Sequence, residues 1–272
     1  MSISRIETIL KEMGAAGARL DSMHAVEAGA GNISVVTADE LPLREIFSEY
    51  EDDFILPVTV PSLAGRTVFV TGSGCRLRDI ADSPTHCVSA LTISPNGESA
   101  RWFYSPQRAF AKPTSELNSH LAVHNDQVEL RNVAFQSVIH AQPPHLVLLS
   151  HIDDLRDNET FNRAILRWEP ETIVQIPHGI EVLEYMIPGS ETLMENNVKG
   201  LRQRIMTLWS RHGIMVRSDG SPLEAVDKVE YAETGAMYEV MNRSLGSPSK
   251  GLSDEEIRGV IEAFGVDTDL YQ

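Results

Sequence analysis

Short runs of strand-forming residues are interleaved irregularly with capped helical stripes, and this pattern constrains the fold more than any other feature of the chain. The runs cover residues 33–37, 67–71, 88–94, 133–140, 172–175, 182–187 and 214–216. Two of them, 172–175 and 182–187, follow one another directly across Pro177 and Gly179. A regular doubly wound parallel sheet needs a helix between successive strands, so the spacing predicts a mixed sheet covered by helices. Helices are predicted where a capping residue precedes apolar residues at helical spacing. Ser4 with Glu7 accompanies Ile6, Ile9, Leu10 and Met13. Ser221, Pro222 and Glu224 accompany Leu223, Val226, Val229 and Val240. Ser253 with Glu256 accompanies Ile257, Val260, Ile261 and Phe264, and Gly265 supplies a stop. Two more helices are predicted over 115–130 and 191–211. No linker, repeat or composition break divides the chain, so residues 1–272 are read as one domain, with the acidic, proline-bearing stretch 41–61 as a long surface excursion.

Composition narrows the function. A formal net charge of −16 argues against nonspecific nucleic-acid binding, which needs a basic patch to displace counterions. It does not exclude a small anionic substrate, because backbone N–H groups and hydroxyls hold a phosphate locally. No apolar run reaches the roughly 18 residues that a membrane-spanning helix requires. The N-terminus mixes charges among its apolar residues, unlike a signal peptide. Cys75 and Cys87 make no disulfide framework and suit a reducing compartment. The expected location is therefore the cytoplasm.

Four polar segments carry the chemistry. In 28–34, small residues let the backbone approach a ligand, while Asn32 and Ser34 add side-chain donors. Thr71-Gly72-Ser73-Gly74 follows an apolar strand and forms a candidate anion cradle. Neither segment has the spacing of a nucleotide-binding fingerprint. Pro113-Thr114-Ser115-Glu116 opens the helix that carries His120 and His124, and places Glu116 in its first turn. The fourth segment is His140-Ala141-Gln142, closed by Pro143-Pro144. Residues two apart on a strand share a face, so His140 and Gln142 project together. Two such donors and a distant third make an open catalytic metal site, and His212, before Gly213, is a reasonable third. His145, His151 and His178 compete for the same roles.

Taken together and in order, these segments resemble the class II aldolase and adducin superfamily. The resemblance runs through Gly31-Asn32, the stretch 55–61 and the Thr71–Gly74 loop to Pro113-Thr114-Ser115-Glu116-Leu117. It continues through His140, Trp168-Glu169, Glu171, Pro177, 185–189, Leu208-Trp209 and His212-Gly213. It implies a three-layer α/β/α sandwich with a mixed central sheet, assembled as a C4 homotetramer with active sites between neighbouring subunits. It also implies zinc, or another divalent metal such as manganese or cobalt, near the end of the strand bearing His140. By position, Asn32, Ser34, Thr71, Gly72 and Ser73 fall where such proteins hold the substrate phosphate. Glu116 falls on the acid/base carboxylate. Glu171 matches a carboxylate that reaches the site from an adjacent subunit. The implied reaction is cleavage of a 1-phosphoketose, such as rhamnulose 1-phosphate, into dihydroxyacetone phosphate and an aldehyde through an enediolate.

One position departs from the family pattern. The family normally carries histidine two residues after its first metal ligand, and here that residue is Gln142. A glutamine carbonyl is neutral and harder than imidazole, and so a weaker partner for zinc. Three outcomes follow: metal held by His140, His212 and a further ligand, a preference for another divalent ion, or a site without catalysis. The alternatives to a lyase are thus a sugar-phosphate epimerase or isomerase on the same scaffold and a non-catalytic binding or assembly protein.

Overall fold

Nine strands of the described residues join in one sheet: β1 (Asn32–Thr37), β2 (Glu49–Ile55), β3 (Thr67–Thr71), β4 (Val88–Ile93), β5 (Ser99–Tyr104), β6 (Phe135–Ala141), β7 (Glu181–Leu183), β8 (Met206–Trp209) and β9 (Gly213–Ser218). Their order is β2-β5-β4-β3-β1-β6-β9-β8-β7. Every neighbouring pair is antiparallel except β7 and β8, which makes the sheet mixed. The chain is seen in a computed structural model that describes residues 2–246 and 249–271.

Helices cover both faces. They are α1 (Ser2–Ser22), α2 (Pro84–Cys87), α3 (Leu117–Arg131), α4 (Pro144–Leu149), α5 (Asn158–Leu166), α6 (Pro170–Gln175), α7 (Glu191–Gln203), α8 (Pro222–Ser244) and α9 (Asp254–Phe264). On one side α8 lies over β6 and β9 and gathers α1, α4, α5 and α6 around itself. On the other, α3 packs against α7, and Val123, Leu193 and Leu201 meet Val138, Met215 and Trp209 of the sheet. The three-layer α/β/α expectation is met. No helix of the described residues is long and apolar enough to cross a membrane.

Alternation along the central strands sorts side chains between these layers. Ile139 and Ala141 of β6 join the main core, together with Val226 and Val229 of α8. Val138, one residue away, belongs to the opposite cluster. His140 and Gln142 share the Val138 parity, so they project on the α3 side, as the two-residue spacing predicted.

Several elements differ from expectation. Residues 172–175 form the end of helix α6, not a strand: Pro170 occupies the first turn, and Thr172 and Ile173 are buried where α6 meets α8 and α9. The β-branched run is overridden by that start signal and by packing. The strand expected over 182–187 shrinks to Glu181–Leu183. The helix expected over 191–211 stops at Gln203, because Arg204 turns extended (φ −119°, ψ 163°) and β8 follows. Leu201, Ile205 and Leu208 fit a helical stripe, yet all four residues of β8 are buried. The excursion 41–61 contains β2, an exposed edge strand whose acidic residues suit an unpaired edge. β5 had no counterpart among the expected runs. Helix α1 begins at Ser2, so Ser4 lies inside it rather than capping it. The other two caps form as expected: the Ser221 and Ser253 side chains accept from Glu224 and Glu256, with a full capping box at Ser253. Gly265 ends α9 in the left-handed conformation (φ 61°).

Candidate metal centre and active site

β1 and β6 lie side by side with Asn32 directly opposite His140, which brings two of the four polar segments together. The other two come in through loops. Gly72 bridges to Pro113, and the Ser73 N–H donates to the Lys112 carbonyl at 2.9 Å, tying the Thr71–Gly74 loop to the entry of α3. A side chain on Gly72 has no room, since its Cβ would stand 2.0 Å from the Phe110 ring. Gly29 packs on the backbone of Gly74, where a Cβ would stand 2.7 Å from the carbonyl oxygen.

Glu116 takes the N-cap position of α3, one step outside the first turn, and makes no side-chain cap. Its buried carboxylate turns inward instead. Oε2 accepts from Asn32 Nδ2 at 2.8 Å and lies 3.4 Å from His140 Nε2, and Oε1 lies 3.8 Å from His212 Nε2. Ligand atoms of Glu116, His140 and His212 all fall within 4.8 Å of one another. This is a candidate metal site.

His140 is firmly oriented. Its Nδ1–H donates to the Ile214 carbonyl at 2.8 Å, and its ring stacks on Trp209 with centroids 4.6 Å apart. The tautomer set by that donation leaves a lone pair on Nε2, pointing at Glu116. His212 does not follow a long helix. It ends the three-residue turn between β8 and β9, after Arg211 in the left-handed conformation (φ 65°). Its backbone N–H donates to the Trp209 carbonyl, and its ring meets His140 edge-on. Burial pushes His212 down to about 4, helped by the neighbouring His140 and opposed by Glu116. It is held as the neutral base that a metal requires. Gly213 has no room for a side chain, because a Cβ there would sit 2.4 Å from the Ala141 carbonyl oxygen and 3.0 Å from the His140 ring.

Gln142 reaches the same centre. Its amide nitrogen is 2.8 Å from His140 Nε2, while its oxygen is buried with no partner. Turning the amide over directs that orphaned oxygen at the centre and frees the His140 lone pair. Two imidazoles, one carboxylate and one amide oxygen therefore fit a divalent cation, with borderline rather than purely soft character. Beside Gln142 and His212 opens a cavity of about 450 Å³, lined also by Glu27, His151, Arg211 and Leu148.

The remaining predicted residues divide. Thr71 is buried, and its hydroxyl accepts the Ile33 N–H at 3.1 Å. Ser73 is half-buried at the loop. The N–H groups of Gly72 and Ser73 are already bonded to the Cys87 and Lys112 carbonyls, so hydroxyls rather than these two amides are left to meet a ligand. Ser34 is fully buried, 2.6 Å from His120 Nδ1 and 2.7 Å from His124 Nε2. Glu171 is exposed on α6 and is not among the residues gathered at the centre within this chain. Sequence reasoning assigned no role to Trp209, His120 or His124. The two helical histidines are both fully buried, and burial pushes His120 well below the usual range and His124 to about 4. A pair of histidines four apart on one helix was the available signal.

Known proteins resemble this chain in sequence and in fold. The rhamnulose-1-phosphate aldolase of Bacteroides thetaiotaomicron is 28% identical over 244 residues, covering 88% of each chain. That of Pectobacterium atrosepticum is 28% identical over 243 residues, covering 88% of this chain and 87% of its own. Among solved structures, a sugar-phosphate aldolase from Thermotoga maritima superposes with a TM-score of 0.73 at 23% identity, over 91% of this chain and 100% of that one, which supports the fold. The profile of one family, described as Class II Aldolase and Adducin N-terminal domain, matches residues 11–240. The chain belongs to that family.

Proposed function

We propose that this class II aldolase cleaves a 1-phosphoketose of the rhamnulose 1-phosphate kind into dihydroxyacetone phosphate and an aldehyde. The observation that carries this reading is the convergence of Glu116, His140 and His212 within 4.8 Å, beside a cavity that His212 and Gln142 line. His140, His212 and Gln142 are the proposed metal ligands. A divalent ion held there, zinc or else manganese or cobalt, would supply Lewis-acid neutralisation of the negative charge left when the C3–C4 bond breaks.

This chain's own residues do the rest. Glu116 accepts the C4 hydroxyl proton, the C3–C4 electron pair moves to the other fragment as its enediolate, C4 departs as the aldehyde carbonyl, and a proton delivered to C3 completes dihydroxyacetone phosphate. Burial among Asn32, His140 and His212 keeps that carboxylate dry and oriented. The phosphate is held between the second amide hydrogen of Asn32 and the Ser73 hydroxyl, on a loop shaped by Thr71 and Gly72, with Ser34 beneath. Remote binding of this kind orients the reacting bond. The aldehyde half enters the cavity beside Gln142 and His212. Glu171 completes the site from a neighbouring subunit of a homotetramer. The 28% identity to rhamnulose-1-phosphate aldolases supports the substrate class.

The test is a coupled assay for dihydroxyacetone phosphate with zinc, manganese and cobalt in turn. Turnover of a 1-phosphoketose is expected. Isomerised product with its carbon chain intact overturns the cleavage reading, and the absence of any turnover together with the absence of bound metal overturns the enzymatic one.

A further inference from the structure

Behind Glu116 runs an unbroken buried chain of hydrogen bonds that ends at the protein surface. Asn32 Oδ1 contacts His120 Nε2, His120 Nδ1 contacts Ser34 Oγ at 2.6 Å, and Ser34 Oγ contacts His124 Nε2 at 2.7 Å. His124 Nδ1 then contacts Gln136 Oε1 at 2.9 Å, and Gln136 Nε2 donates to Asp219 Oδ1 at 3.2 Å. Asp219 is half-exposed and paired with Arg131, whose Nη2 lies 2.8 Å from Oδ1. Asn32, Ser34, His120, His124 and Gln136 are all buried, from α3, β1 and β6.

The direction of each bond follows from donor counting. Asp219 only accepts: burial raises its pKa, but bonds from Arg131 and Gln136 outweigh that and hold it below the usual range. Gln136 therefore points its NH₂ at Asp219 and its oxygen at His124. That oxygen needs a donor, so His124 carries its hydrogen on Nδ1 and presents a bare Nε2 to Ser34. From the other end, Asn32 Nδ2 donates to Glu116, so its oxygen takes the Nε2–H of His120. His120 then also presents a bare nitrogen, Nδ1, to Ser34. A single hydroxyl hydrogen faces two imidazole lone pairs. The two carboxylates, one at the site and one at the surface, pull the chain in opposite directions, and the conflict meets at Ser34. Its relief lies in turning the Asn32 amide, which is the group that holds Glu116.

We propose that Asp219 is a positioning residue for Glu116, setting the hydrogen-bond direction of the chain Gln136–His124–Ser34–His120–Asn32 and, through Asn32, the orientation of the carboxylate. The role of Glu116 as proton acceptor rests on the reading above; the direction of the chain does not.

Asp219→Asn tests this at the surface end. An asparagine NH₂ can donate to the Gln136 oxygen, so Gln136 turns over and donates to His124 Nδ1. His124 then carries its hydrogen on Nε2 and donates to Ser34, whose own hydrogen serves His120. Every bond now runs one way, into Glu116. The measurement is ¹⁵N NMR of histidine-labelled full-length protein, which separates the two tautomers, alongside kcat and KM for the phosphoketose. The expected result is a switch of His124 from Nδ1–H to Nε2–H and a kcat loss of about tenfold, as for other outer-shell partners, with KM and metal content unchanged. Arg131→Gln removes the same ion pair but keeps the acceptor, and should retain the wild-type tautomer and kcat. An unchanged His124 tautomer in Asp219→Asn overturns the proposal, as does a switched tautomer with unaltered kcat, or the same losses in Arg131→Gln. If wild type cleaves no phosphoketose, the function reading falls while the tautomer result still decides whether Asp219 directs the chain.

Discussion

The two faces of strands β1 and β6 are one residue apart in sequence and differ in character. Toward α8 the sheet presents Ile139 and Ala141, part of the main apolar core. Toward α3 it presents Asn32, Ser34, Gln136 and His140, each bonded to another buried polar group. The apolar face locks the register, since a slip by one residue exchanges the faces and puts polar groups into the core. The polar face relies on that fixed register, because a buried donor or acceptor is tolerated only when partnered. Apolar packing and buried polar pairing are thus assigned to alternate residues of the same strands.

Substitutions that strike one face at a time test this division. Replacing Glu116 with Gln should have the largest effect, lowering kcat by roughly 100- to 10,000-fold in the aldol assay while the denaturation midpoint stays near wild type. Ile139→Ala, on the other face, should lose about 2–5 kcal/mol in denaturant unfolding and leave kcat per folded molecule within about twofold. A large kcat loss in Ile139→Ala, at conditions where it is fully folded, would break the comparison.

Acid should attack the polar face first. His124 binds a proton only below about 4 in the fold, against 6.5 when unfolded. The unfolded chain therefore holds the extra proton between these values, so the contribution is complete above pH 6.5 and is lost as pH falls toward 4. At full size it is worth about 3 kcal/mol. Urea midpoints across that range should fall less steeply in His124→Asn than in wild type.

Smaller effects sharpen the picture. Gln142→His offers an imidazole where an amide now stands, and should raise zinc affinity about tenfold in chelator competition. Equal affinity for both proteins would mean that Gln142 already serves as well as histidine. Ser253→Ala removes the capping box of α9, away from both faces, and should cost about 1 kcal/mol without altering kcat.

Much of this was legible in the chain. The same-face relation of His140 and Gln142 follows from strand periodicity alone, and the caps at Ser221 and Ser253 from their local patterns. Where the reading failed, short segments had two local solutions. Residues 172–175 have strand propensity but sit behind Pro170, and 205–208 satisfy a helical stripe as well as an alternating strand. Propensity differences of a few tenths of a kcal/mol per residue cannot choose between such solutions, and packing does.

By itself, then, the sequence determined the kind of sheet and the family the chain belongs to. It could not show that Asn32 stands opposite His140, that Glu116 abandons its cap to face two histidines, or that His120 and His124 share one serine. Those pairings join residues 32, 116, 140 and 212, which are far apart along the chain. Periodicity reports which way a side chain points within its own element. Only the closing of the sheet and the docking of α3 on it decide what that side chain meets.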